Sequence, residues 1–347
     1  MASIENLKEF QAPALRGFVD ESMKDNFEEF AFIETYMKDE TVWSRTYAYD
    51  IIQRTQHIAA MIGLGAEKPV IDRHAAAKAM AEIVDFGLQD VVTVEELMEI
   101  AEAQNSNNDA RYRDLVSKLL NRAADLLQAL QLRKRVEKLK AVTLGYNDYD
   151  SNGVKVQLDY GIPDEHKVAL TGTDAWSNAD KDVIGDILGF QATYSKSNGG
   201  KKPEAMLITR EVLNVLTQNT LLIAEAGRPE GVNRISITEV QDVLSRYGLP
   251  QITVVEETHT NYRDPYTGED IEMELFPQNR VVFVSQNAGK FLVGPNPDEA
   301  NFRPVVVMDA YDERKPRRSV MEVSVSGFAV LDQPSLVFHA DVIEDTP

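Results

Sequence analysis

The last third of the chain alternates short apolar runs with polar breaks. Gln251–Val255 (QITVV), Arg280–Val284 (RVVFV) and residues 291–293, 305–308 and 319–331 (SVMEVSVSGFAVL) have the β-branched and aromatic content of strands. Polar loops such as 261–271 (NYRDPYTGEDI) separate them. Upstream, residues 109–142 hold neither Gly nor Pro. Leu115, Leu119, Leu126 and Leu130 form one stripe, joined by Val116, Leu120 and Leu127, and 105–109 (NSNND) offers N-caps. One helix is predicted here, ending before Gly145. At ~1.5 Å per residue it would run roughly 50 Å, more than a compact single domain usually needs.

Elsewhere the pattern is weaker. Residues 1–50 read as irregular, with a short amphipathic piece at 21–37 and many rings (Phe10, Phe18, Phe27, Phe30, Phe32, Tyr36, Trp43, Tyr47, Tyr49). Rings without periodicity imply burial, against either the chain's own body or a neighbouring subunit. The block 50–100 breaks at Gly63, Gly65 and Pro69, which suits a two-stranded arm turning at glycines. Its Ala-rich part, 73–86 (RHAAAKAMAEIVDF), favours helix instead, so both conformations stay open. After the long helix, 146–153 (YNDYDSNG) is turn-rich and 154–160 strand-like. Residues 180–194 form a helix with acids at its start, and 203–208 a strand. Thr209 caps a helix to about Asn219, and 238–247 is a helix ended by Gly248.

Composition narrows the chemistry. The 347 residues include no cysteine, which excludes disulfides, thiolate nucleophiles and cysteine zinc sites. No run of ~18 apolar residues is present, so no membrane-spanning helix is expected, and the acidic start does not resemble a secretory signal. With 36 basic and 56 acidic residues the net charge is −20. Such a chain repels nucleic acid and anionic lipid. A container wall that DNA must pass freely has use for that; the plain alternative is solubility. The long helix is locally basic, with nine cations between Arg111 and Lys140 against three acids. Arg111, Lys118, Arg122, Arg133 and Lys134 are candidates for a face toward packaged DNA or acidic neighbours. The alternative is pairing within the chain.

Catalytic signatures are missing. None of the five histidines lies three or four residues from another, and His339 with Asp341 supplies only two metal ligands. The acids of 264–274 do not have EF-hand spacing, and no phosphate-cradle or nucleophile-elbow motif occurs. No metal, cofactor or enzymatic activity is therefore expected. Arg314, Lys315, Arg317 and Arg318 form a compact basic cluster. Together with Trp43, Arg54, Lys68 and Arg73 they are the candidate inter-subunit contacts.

The order of parts resembles a tailed-phage major capsid protein of the Hong Kong 97-type fold, most closely the family of the lambda major capsid protein E. Three stretches carry the likeness besides the long helix. Residues 173–180 (TDAWSNAD) lead into Asp186 and Ile187; 275–282 (LFPQNRVV) turn through Pro277 into a strand; 322–326 (EVSVS) run on through 333–337 (QPSLV). The resemblance implies an α+β fold in these parts: an N-terminal arm (1–49), an extended loop (50–104), a peripheral domain (105–201) with a spine helix at about 109–142, and an axial domain (202–305). A long strand (306–333) would return to the peripheral domain and a last one (334–347) to the axial domain. It implies a virion protein, assembled in the host cytoplasm as hexamers and pentamers into an icosahedral shell. The shell would enclose double-stranded DNA without sequence-specific binding. Its partners would be further copies of itself, a scaffolding protein, a portal and a decoration protein, with no membrane. Some relatives crosslink a loop Lys to a neighbour's Asn; Lys68 and Lys78 lie in the loop block without an assignable partner, so the crosslink is not carried over. Two alternatives stand beside this: an encapsulin-type bacterial compartment, and a soluble acidic-cleft enzyme or binding protein.

Overall fold

The computed structural model describes residues 4–23, 27–51, 77–106, 108–151, 154–229, 231–264, 268–315 and 317–344. In chain order come α1 (Ala12–Ser22), β1 (Met37–Thr41), β2 (Thr46–Ile51), β3 (Ala77–Glu82), β4 (Val84–Val92), α2 (Val94–Asn105), α3 (Asp109–Thr143), β5 (Tyr146–Ser151), β6 (Val154–Asp159) and β7 (Lys167–Ala169). Then follow α4 (Val183–Ser197), β8 (Ala205–Thr209), α5 (Arg210–Gln218), α6 (Thr220–Glu225), α7 (Ile237–Arg246), β9 (Gln251–Val255), β10 (His259–Arg263) and β11 (Asp270–Glu274). The chain closes with β12 (Arg280–Val284), β13 (Gly289–Val293), β14 (Val307–Arg314), β15 (Arg317–Val330) and β16 (Val337–Asp341).

Two sheets dominate. The first runs β1-β13-β15-β14, with β4 also paired to β15. The 14-residue β15 organises it: β14 pairs antiparallel along one side, and β4 followed by β13 along the other. Gly327 permits a close approach, since a Cβ there would lie 2.2 Å from the Phe291 ring. The second sheet runs β7-β16-β12-β8-β9. All five residues of β8 are buried, and Phe190 of α4 packs on Phe283 and Phe338 with ring centroids 5.4–6.3 Å apart.

The long helix α3 spans the predicted stretch to within one residue. The Asn108 side chain accepts from the Arg111 N–H at 3.1 Å, capping its start. Gly145, at φ +76°, ends it by donating to the Lys140 carbonyl at 3.1 Å. Leu119, Ala123, Leu127 and Leu130 are buried along its inner stripe, and from Val136 to Thr143 every residue is buried. Its last turn is pinned to the second sheet: Thr143 Oγ1 donates to Leu275 O, and Arg280 Nη1 to Thr143 O at 2.9 Å.

Several local expectations give way. The turn-rich 146–153 contains a strand, because β5 pairs with β6 as a hairpin. Of the two conformations left open for the Ala-rich segment, its described part is extended, as β3 and the start of β4, where cross-strand pairing overrides alanine's helix preference. Within 21–37, α1 ends at Ser22 and the described residues between it and β1 hold a 3-10 turn (Ala31–Thr35). The strand placed at 305–308 starts later and runs longer, as β14. Part of the N-terminal segment buries in its own chain: Ile4, Leu7, Phe10, Leu15, Val19, Phe30 and Ile33 are all core, and α1 lies on β14.

Candidate assembly surfaces

A shell subunit needs a body that holds its shape and surfaces that meet other copies. The body is held by ions on α3. Lys138, completely buried, pairs with Asp39 at 2.7 Å and with Glu34; Lys134 pairs with Asp39 too. Both ammonium groups lie over the Phe291 ring, at 5.3 and 5.9 Å. Burial alone would raise the Asp39 pKa, but the two lysines outweigh it and hold the carboxyl below its ordinary value. Arg135 donates to the Phe27 and Glu29 carbonyls at 2.6 and 2.7 Å. Together these contacts fasten residues 27–39 along the helix.

The five candidate cations of α3 are all paired within the chain. Arg122 makes a two-pronged contact with Asp90 (2.6 and 2.8 Å) and reaches Glu96 (2.7 Å) and the Val91 carbonyl (3.0 Å), so it joins α3 to β4 and α2. Arg133 pairs with Glu137 at 2.8 Å and stacks over Tyr149. Arg111 stands 3.7–3.9 Å from Glu99 and Glu102, and Lys118 pairs with Asp114. Lys134 is the buried pair just described. Pairing within the chain, one of the two readings weighed for this helix, is thus seen for all five, while Arg111 and Lys118 also stay exposed to a neighbour.

The inter-subunit candidates are placed differently. Trp43 is 71% exposed, just beyond β1. Arg314, Lys315 and Arg317 are exposed at the tip of the β14–β15 hairpin, and Arg318 there pairs with Glu313 at 2.5 Å. Arg54, Lys68 and Arg73 lie outside the described residues. Helix α2 was not anticipated, although its signal is in the sequence: Thr93 and Glu96 form a reciprocal capping box.

Nothing among the described residues has the form of a metal site. His339 Nε2–H donates to the Val142 carbonyl at 2.7 Å, and Asp341 takes both prongs of Arg280 at 2.6 and 3.0 Å, so neither is aimed at an ion. No described helix is long and apolar enough to cross a membrane.

Two sheets bridged by one long helix, with a strand ribbon (β2–β3) continuing β1 and β4, is the architecture of phage capsid subunits of the Hong Kong 97 type. The chain is similar in fold to a protein described as a prophage capsid protein of Escherichia coli CFT073. The TM-score is 0.61 at 13% identity, covering 95% of this chain and 98% of that one. It is also similar to a phage-related protein of Bordetella bronchiseptica RB50, with TM-score 0.53, 14% identity, and 94% and 96% covered. A third likeness is to the capsid of the cyanophage P-SCSP1u, with TM-score 0.50, 11% identity, and 91% and 88% covered. No curated protein matches in sequence. Residues 23–342 match the family described as phage major capsid protein E, and the chain belongs to that family. Its role is that of a structural shell protein of the virion capsid, built by self-association.

Proposed function

We propose that the chain is the repeating subunit of an icosahedral shell, assembled in the host cytoplasm as hexamers and pentamers around double-stranded DNA. The family match over residues 23–342 carries the reading. Charge supports it: the net −20 and the internally paired cations of α3 leave little to hold DNA tightly. The same family match supports a structural, non-enzymatic role. A scaffolding protein, a portal and a decoration protein are the proposed partners.

The proposed division keeps an arm (1–49), a loop (50–104), a peripheral domain (105–201 and 306–333) and an axial domain (202–305 and 334–347). Strand pairing supports the return of the last strand, since β16 lies between β7 and β12. It departs from the division elsewhere: β7, within 105–201, joins the second sheet, and β4 and β13, within 50–104 and 202–305, join the first. Trp43, Arg54, Lys68, Arg73, Arg314, Lys315, Arg317 and Arg318 are the proposed contacts between copies. No observation among the described residues favours an encapsulin-type compartment or an acidic-cleft enzyme.

The test is to produce the protein alone and with any scaffold gene found beside its own, and to view both by negative-stain electron microscopy. Round shells or capsomers of uniform size are expected. A monodisperse monomer under both conditions overturns the reading.

A further inference from the structure

The β14–β15 hairpin ends in four cations within five residues, Arg314, Lys315, Arg317 and Arg318, on a chain of net charge −20. Strand register sets Arg318 opposite Glu313, and the two form an ion pair at 2.5 Å. The next pair out, which closes the hairpin, is Arg314 opposite Arg317. Like charges directly across a ladder repel. Lys315, also exposed, adds a positive charge at the same turn. Arg314 and Lys315 form no ion pair among the described residues. Both are left for a carboxylate from outside the chain.

An acidic helix face lies at the same end of the first sheet. Ser319, the third residue of β15, pairs with Val92, the last of β4, and α2 begins two residues later. Helix α2 buries Leu97, Ile100 and Ala103 against the body. Its other side is exposed and carries Glu95, Met98, Glu99 and Glu102, whose spacing of three and four makes one stripe. Met98 is 67% exposed among these three carboxylates. The stems of Arg and Lys cover such an apolar side chain while their charged ends reach the acids around it. The exposed acids of β11 have no apolar centre of this kind, and Asp270 and Glu274 stand across the ladder from Arg263 and His259. Tip and stripe share one end of the subunit, so a two-fold or a ring of copies meeting there repeats the same contact at every junction. We propose that the β14–β15 tip of one copy docks on the outer face of α2 of the next, with Arg314, Lys315 and Arg317 toward Glu95, Glu99 and Glu102 and their stems over Met98. The contact belongs to the shell reading and rests on it.

The chain has no cysteine, so single thiols can be placed without background. Met98→Cys and Lys315→Cys, both at exposed positions, are made as separate proteins, mixed, assembled and treated with oxidised glutathione. Neither chain carries both thiols, so a disulfide between positions 98 and 315 can form only across copies. A linked dimer on a non-reducing gel, with that disulfide located by mass spectrometry, is expected. Charge exchange is the second measurement. Glu95→Lys with Glu99→Lys should raise the protein concentration needed for half-assembly by about tenfold, even though it lowers the net negative charge and so weakens general repulsion. Adding Arg314→Glu and Arg317→Glu to that variant should restore most of the loss. Shells that form from the mixture without the disulfide overturn the contact and leave the shell reading standing. Assembly that improves with the α2 lysines, or that the exchange does not restore, does the same. If a cysteine variant fails where the parent assembles, the charge exchange decides. A tip that gives no disulfide and holds double-stranded DNA at ~0.1 M salt overturns the contact in favour of nucleic acid. A parent chain that never assembles overturns both.

Discussion

At the scale of single residues, His339 is the most consequential titratable group. Burial first, then the Arg280 charge, push its pKa down to about 3. Between the ordinary imidazole value of ~6.5 and about 3, the unfolded chain holds a proton that the folded chain does not. Stability is therefore full above that window and falls as pH drops through it, by about 1.4 kcal/mol per pH unit from this group. His339→Gln keeps an N–H for the Val142 carbonyl and cannot titrate. Its urea midpoint should fall less between pH 6.5 and 4 than the parent's; equal slopes would remove His339 as the cause. Gly145 is the second sensitive position. At φ +76°, with Ile162 Cδ1 2.7 Å from where a Cβ would stand, Gly145→Ala should cost about 2 kcal/mol or more in denaturant titration.

Among elements, α3 was legible because nothing between Asp109 and Val142 interrupts it and Gly145 follows. The capping box that starts α2 was equally present and passed over. Strand β5 was not legible: Tyr146 to Ser151 includes no β-branched residue, and its extension is imposed by β6. Nor does local pattern say which surface buries a ring. Phe10 and Phe30 pack in their own body, whereas Trp43 does not, and only the folded chain separates them. The sites divide the same way. The basic character of α3 is plain in the sequence, and Asp114 and Glu137 take up Lys118 and Arg133 from the next turn, but other acids come from far along the chain: Asp39 for Lys134 and Lys138, Asp90 for Arg122. Lys138→Met should lower stability by about 2 kcal/mol, below the usual loss for a fully buried pair, because Glu34 and Asp39 keep some water. Thermal or urea unfolding checks it. Hydrogen exchange should show amide protection rising along α3, from the partly exposed first turns to the buried 136–143. A uniform profile would contradict the anchoring described for its last turn.

For the whole molecule, charge sets the terms of association. Copies carrying −20 repel one another, and salt screens that repulsion. The exposed Arg314, Lys315 and Arg317 at the hairpin tip are the natural place for attraction to an acidic neighbour. Replacing all three by Ser leaves a charge of −23. Light scattering should then show assembly about tenfold slower than the parent at ~0.1 M salt, where the screening length is about 10 Å, with the deficit closing as salt rises. Unchanged kinetics would place the tip away from any neighbour.

The unequal anchoring of α3 makes it a lever. Its last turn is fixed to the second sheet through Thr143, Arg280 and His339, while its first turns are partly open to solvent. Over roughly 50 Å of helix, a tilt of about ten degrees at the fixed end carries the far end about 9 Å. Because α3 also packs on β4 and β15 along its length, the first sheet would travel with it.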